Sequence, residues 1–218
     1  MAVLGKILSV VEICILLVAV GCGITGAIMI GLTSNQFGSQ CILRAGVTEI
    51  TDTTISVQYS GMSRCNYCML VQIVALLLAF VFGVYRLLVL CSGKYDIKTL
   101  GRLIISIVFG AMTFFMLIEA CLVSVGLNKF CGNLSAVYTT VTECRTFQKS
   151  ITWFTGENGA HFYDNMKVAE SVSWIGVLLW LSMTLLSIVS HCTYKRQRPH
   201  ERRQDPKAVK TVPALGPV

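Results

Sequence analysis

Three ionisable residues stand inside long apolar stretches of this sequence, and they are the first candidates for chemistry. A charge held in hydrocarbon is costly, so it is kept where it pairs, binds or moves something. Glu12 and Arg86 fall at similar depths on antiparallel spans, Glu12 ~1–2 helical turns inside the boundary. That placement suits an ion pair; the alternative is an Arg86 that reaches the headgroups on its own. Glu119 lies ~12 Å below the opposite surface, too far from Glu12 for paired-carboxylate acid–base work. Two readings are open for it. One is a carboxyl hydrogen-bonded between helices, with Thr25 and Ser182 at comparable depth as partners. The other is coordination of an ion or proton, and a lone carboxylate without broken helices favours the first.

The cysteines divide by position. Cys41 and Cys65 lie between the first and second apolar blocks, and Cys131 and Cys144 between the third and fourth. On an oxidising side these make two disulfides, with three connectivities open. Cys41–Cys65 and Cys131–Cys144 are favoured because each closes a short stretch; cross-loop pairing, or Cys68 competing for Cys65, stays open. Cys65-x-x-Cys68 has the spacing of a redox or zinc half-site, but no second pair or histidine accompanies it. Cys14, Cys22 and Cys121 read as packing residues within spans. Cys91 and Cys192 stand at span ends, where S-palmitoylation acts. Asn133-Leu-Ser135 is an N-glycosylation acceptor in a loop.

Gly21-Cys-Gly-Ile-Thr-Gly26 matches a dinucleotide fingerprint but lies inside an apolar block, not between a strand and a helix. Packing is its better meaning: Ala19, Gly23, Ala27 and Gly31 recur every fourth residue, letting a helix approach closely. That helix belongs either to the same bundle or to a second copy. His161, His191 and His200 are isolated, and no nucleophile–base pair, phosphate loop or metal cluster is visible. Neither an enzyme nor a cofactor or metal is expected.

The elements that hold these residues are membrane spans. Hydrophobic residues make up 54% of the chain and charged ones only 13%, half the share of a typical soluble domain. The apolar residues come in blocks of about 18 or more, enough to cross ~30 Å of hydrocarbon as helix. Spans are expected at about 7–32, 68–91, 103–127 and 172–192, within a membrane domain covering 1–194. The first block is too long for a cleaved signal peptide and reads as an uncleaved signal-anchor. In the first loop, Ile55, Val57 and Tyr59 alternate with Thr54, Ser56 and Gln58, which predicts a small β-hairpin. From 160 to 171 the chain reads as helix, with Phe162, Met166 and Ala169 on one face. The fold class is an all-α four-transmembrane-helix bundle with a small β-hairpin in the first extracytosolic loop.

Charge gives the orientation. In loop one, Arg44 and Arg64 balance Glu49 and Asp52; in loop three, Lys129, Arg145, Lys149 and Lys167 balance Glu143, Glu157, Asp164 and Glu170. The second connection holds Lys94, Lys98 and Arg102 against Asp96, and segment 195–218 holds seven Lys/Arg against Glu201 and Asp205. Both termini are therefore expected in the cytosol, in a plasma or secretory-pathway membrane. The net charge of +7 sits beside membrane exits, so its expected partner is anionic lipid headgroups rather than nucleic acid. Segment 195–218 reads as a disordered basic tail.

Other four-span families can be compared at their motifs. The first loop lacks the tryptophan of the claudin Gly-Leu-Trp signature, Cys131-Gly132 lacks the doubled cysteine of tetraspanins, and neither loop has the three cysteines of connexins. The chain instead resembles the transmembrane protein 179 family. The resemblance rests on Cys41, Cys65, Cys131 and Cys144, then Gln148-Lys149, Trp153, Phe162-Tyr163-x-Asn165, Ala169-Glu170, Ser173-Trp174 and Leu179-Trp180. It implies a multi-pass membrane protein and carries over no catalytic residue. The expected function is that of a non-enzymatic accessory or organising subunit that meets other membrane proteins through its first span and outer loops, and homo-oligomers through the small-residue stripe. The alternatives are a transporter or channel component using Glu119 and a claudin-like adhesion protein.

Overall fold

In the computed structural model, residues 2–51, 54–92, 99–137, 143–150, 152–153 and 158–204 are described. Four helices dominate: α1 (Ala2–Gln36), α2 (Ser63–Ser92), α3 (Thr99–Val137) and α5 (Phe162–Gln204). Each contains a segment long and apolar enough to span a membrane: Ile7–Gln36, Ser63–Ser92, Leu103–Val137 and Phe162–Cys192. Lipid has no water to satisfy backbone amides, so runs of this composition close their hydrogen bonds within helices. The outward faces are correspondingly apolar, with Leu17, Phe80, Ile107 and Leu178 all exposed. α1 packs against both α2 and α5, α3 packs against α5, and α2 and α3 meet along a thinner seam.

The helices outrun the predicted spans. α3 continues ten residues past 127, so Lys129, Cys131 and Asn133, expected in a loop, are helical. α5 runs on to Gln204, so 195–204 is helix where a disordered tail was expected. A membrane helix supplies the costly nucleus, and Lys, Arg, Gln and Glu propagate a helix well once it exists. The rest of that tail, 205–218, lies outside the described residues, as do the connecting residues 93–98 between α2 and α3.

Between α1 and α2 the chain forms β1 (Cys41–Thr51) and β2 (Thr54–Ser60), the expected antiparallel hairpin. Its register shifts between Cys41 and Gly46, where Arg44 takes φ 64°. An extra residue in that conformation bends the strand, as a β-bulge does. The inward residues of β2 are Ile55 and Val57, both buried. A third strand, β3 (Thr152–Trp153), pairs parallel with β2 and follows a short helix, α4 (Cys144–Ser150). Neither was expected: a two-residue strand has no periodicity to read.

Two apolar cores result. One fills the bundle around Leu16, Ala75, Phe109, Met116 and Trp180. The other joins the sheet to the helix ends through Phe37, Leu43, Phe130, Phe147 and Phe162. There the Phe162 ring stands edge-on to Phe130 at 5.4 Å and to Trp153 at 5.6 Å. Phe162, Met166 and Ala169 are buried on one face of α5, as the 160–171 pattern predicts.

Candidate functional site

The polar residues of the spans pair across helices. Glu12 on α1 and Arg86 on α2 form an ion pair at 3.1 Å, the glutamate side chain 4% exposed and the arginine 23%. Of the two sequence readings of Arg86, the ion pair is the one the structure contains, with part of the arginine side chain still exposed.

Glu119 is fully buried, but its partners are not the expected ones. Thr25 donates to the Gly21 carbonyl and Ser182 to the Leu178 carbonyl, each within its own helix. Equal depth does not place two side chains on facing surfaces, and Ser182 is only half-buried on α5. The group beside Glu119 is Ser173, one of the polar residues of α5, whose hydroxyl lies 3.0 Å from Glu119 Oε1 and 2.8 Å from the Ala169 carbonyl. Gln72 of α2 donates from Nε2 to the same Ser173 oxygen at 3.0 Å. Gln72, Glu119 and Ser173 are all 0% exposed, so this triad ties three helices together at the boundary between the two cores. Gln72 Oε1 and Glu119 Oε2 accept no hydrogen bond from the described residues.

Glycine makes the triad possible. A Cβ on Gly26 would lie 2.8 Å from Gln72 Cδ, and one on Gly23 would lie 3.0 Å from Leu76 Cβ. Within the small-residue stripe of α1, Gly23 packs against α2, Ala19 lies in the bundle core and the half-buried Gly31 lies near Met69 of α2. Ala27 is half-buried. Gly26, off the every-fourth pattern, makes the closer approach.

Other hydroxyls continue the stitching between α3 and α5. Ser106 meets Ser187 at 2.7 Å, Thr113 meets Thr184 at 3.1 Å, and the Trp174 indole donates to Ser124 at 3.1 Å. With Glu119–Ser173 these form a ladder along the antiparallel pair. The sequence signal for it is faint, because single Ser and Thr residues are ordinary in membrane helices.

At the loop end, disulfides close Cys41–Cys65 and Cys131–Cys144, with Cα atoms 5.7 Å and 5.4 Å apart. Of the three open connectivities, the within-loop one is present. Cys68 is free and buried, while Cys14 and Cys121 are exposed on the bundle surface instead of packed within it. Cys91 and Cys192 are free and exposed. Asn133 is half-buried on α3, and its Nδ2 donates to the Ala45 carbonyl of β1 at 2.8 Å. Gln148 docks α4 onto the start of α5, donating to Asp164 at 2.8 Å and accepting from the Tyr163 amide at 3.2 Å. The sheet seats on α3 through Leu43: a Cβ on Gly126 would lie 2.8 Å from Leu43 Cδ2. Among the described residues no His, Cys, Asp or Glu grouping could hold a metal ion.

Comparison with known proteins agrees with this architecture. A family model described as the Transmembrane protein 179/179B Claudin domain matches residues 8–212. Transmembrane protein 179B of Mus musculus is 28% identical over 200 residues, covering 88% of this chain and 87% of the relative. The Homo sapiens protein of that name is 27% identical over 184 residues, covering 82% and 81%. The Danio rerio one is 22% identical over 188 residues, covering 86% and 84%. No solved structure matches. The chain belongs to the transmembrane protein 179/179B claudin-domain family and is a multi-pass membrane protein. That corrects the contrast drawn with claudins: a missing tryptophan tests a few residues of one loop, whereas the claudin-domain match runs over nearly the whole chain.

Proposed function

We propose, with that family membership as the premise, that this chain is a non-enzymatic accessory subunit that presents a rigid extracytosolic head to other membrane proteins. The observation that supports this most is how the intramembrane polar groups are used. Glu12 is paired with Arg86, Gln72 and Glu119 meet at Ser173, and Thr113 meets Thr184, so polarity goes into joining helices. The head is stapled twice and packed onto the helix ends, which suits a surface meant to keep its shape on binding. With Ala19 and Gly23 of the α1 stripe packed inside the bundle, this reading assigns partner contact to the head and to the outward helix faces. The orientation that supports this reading is the one given by the Lys/Arg excess, with both termini in the cytosol. Asn133 as glycan acceptor, and Cys91 and Cys192 as acylation sites on the cytosolic side, belong to the same reading.

Co-purification in mild detergent tests it. The wild-type chain is expected to bring down a defined set of membrane proteins, and head-surface substitutions such as Glu143→Lys, at an exposed position, are expected to lose some of them with the fold intact. A partner set that no head substitution changes would sink the proposal.

The unspent oxygens of Gln72 and Glu119 favour a second reading, in which the triad carries an ion or proton as part of a transporter or channel. Glu119→Gln separates the two: a transporter loses its flux with assembly intact, whereas an accessory subunit keeps its partners. The claudin-domain match supports a third reading, adhesion between cells, which requires delivery to the cell surface and binding in trans.

A further inference from the structure

The bundle buries two glutamates, and they meet different company. Glu12 is met by Arg86 at 3.1 Å. Glu119 is just as deeply enclosed, yet among the described residues no lysine, arginine or histidine pairs with it; the other ion pairs there are Arg145–Asp164 and Lys167–Glu170. The titratable groups that face it are Tyr67 and Cys68 of α2, and neither can supply a positive charge. From α5 it meets Ser173, and α1 contributes only Gly26, which backs the Gln72 amide. A lone carboxylate sealed from water is among the costliest groups to bury.

The hydrogens around Ser173 are one short. Its Oγ has three polar neighbours: Gln72 Nε2 at 3.0 Å, Glu119 Oε1 at 3.0 Å and the Ala169 carbonyl at 2.8 Å. A hydroxyl has one hydrogen to give and two lone pairs to receive with. Gln72 fills one lone pair with a hydrogen of its own. The Ala169 carbonyl can only accept, and so can an ionised Glu119, so one Ser173 hydrogen would have to serve both. A hydrogen on Glu119 Oε1 removes the shortfall. It goes to the second lone pair of Ser173, and the Ser173 hydrogen goes to Ala169. All three contacts are then hydrogen bonds at once, and the site is uncharged. The unpartnered Glu119 Oε2 becomes a neutral carbonyl oxygen, whose missing donor costs far less than that of a charged one.

We propose that Gln72, Glu119 and Ser173 form a binding site for one proton, held on Glu119 Oε1 and donated to Ser173. The site is the triad of the transporter reading, yet it needs no flux and rests on neither functional reading: the proton belongs to the joint of α2, α3 and α5. It also makes that joint sensitive to pH. The folded chain keeps the proton, whereas the unfolded chain, with its carboxyl in water, gives it up near neutral pH. The native state then binds more protons than the unfolded one, so stability falls as the pH rises.

The test is infrared spectroscopy of the full chain in nanodiscs near neutral pH. The wild type is expected to show the C=O stretch of a protonated carboxyl, absent from Glu119→Gln. Should that variant fail to fold, glutamate isotope-labelled at the carboxyl carbon should move the band in the wild type. Ser173→Ala removes the group that receives the proton, and should shift the band in frequency without abolishing it. On unfolding in detergent near neutral pH, the wild type should release about one proton more than Glu119→Gln. A wild type without the band overturns the site, and a band that Ser173→Ala leaves in place overturns the contact with Ser173. Stability at high pH restored by sodium ions would make the occupant a metal cation and overturn the proton. Partner capture is measured separately, so a missing band leaves the accessory reading standing.

Discussion

Ser173 is the residue on which the interior of the bundle turns. Its hydroxyl accepts from Gln72 and lies within bonding distance of Glu119, so removing it leaves polar groups of two other helices short of a partner. Single interhelical hydrogen bonds in membranes average ~0.6 kcal/mol, but orphaned buried groups cost more. Ser173→Ala is expected to lower stability by about 1–2 kcal/mol, measured by unfolding the purified chain in detergent micelles. Glu119→Gln should be milder, because the amide still accepts from Ser173 and adds a donor that can face Gln72 Oε1. Gly26→Val drives a side chain into Gln72 and should destabilise, with Gln72→Ala restoring much of the loss. Glu119 was legible from the sequence because a carboxylate in a span stands out. Ser173 was not, because its importance lies in which way it faces, and in an apolar helix buried on one side and lipid-coated on the other, hydropathy does not mark the inward face.

Among the elements, the contact between β1 and α3 decides whether the head is part of the bundle or a loop tethered to it. Leu43 closes over Gly126, and Asn133 bonds to the neighbouring Ala45 carbonyl. Gly126→Val should push the strand off the helix at a cost of about 1–3 kcal/mol. Limited proteolysis of the first loop would report it, and Leu43→Ala should recover protection by vacating the space. If Gly126→Val leaves the loop as resistant as the wild type, the docking is not what orders the head. The hairpin was readable, since alternation in 54–59 survives in the buried pair Ile55 and Val57. The docking was not: glycines were read by their every-fourth spacing in α1, while Gly26 and Gly126 act singly, against a side chain distant in sequence.

Across the whole molecule, four spans were legible because composition and length alone demand them. Span ends were less so, since α3 and α5 pass well beyond the hydrocarbon-length windows and carry polar residues as helix. The two disulfides close separations of 24 and 13 residues, and a loop of this length is worth roughly 3 kcal/mol in the chain-entropy account. Cys131→Ser with Cys144→Ser should therefore loosen α4 and its docking through Gln148, seen as faster amide exchange in 143–165 with the spans unaffected. Orientation is a separate question answered by separate means. Epitopes placed at each end are expected to become accessible only after the membrane is permeabilised, and staining of intact cells at either end would reverse the charge-based assignment.

The ladder between α3 and α5 also has a consequence for synthesis. Ser173 lies 54 residues after Glu119 and Thr184 lies 71 after Thr113, so the ribosome delivers each polar group of α3 well before its partner exists. For that interval α3 is a half-finished helix with a carboxyl and hydroxyls facing lipid or the insertion machinery. The nascent chain must be sheltered until α5 arrives. A message truncated before α5 would then yield a product recognised as defective and degraded, so correct assembly is tested when α5 is made.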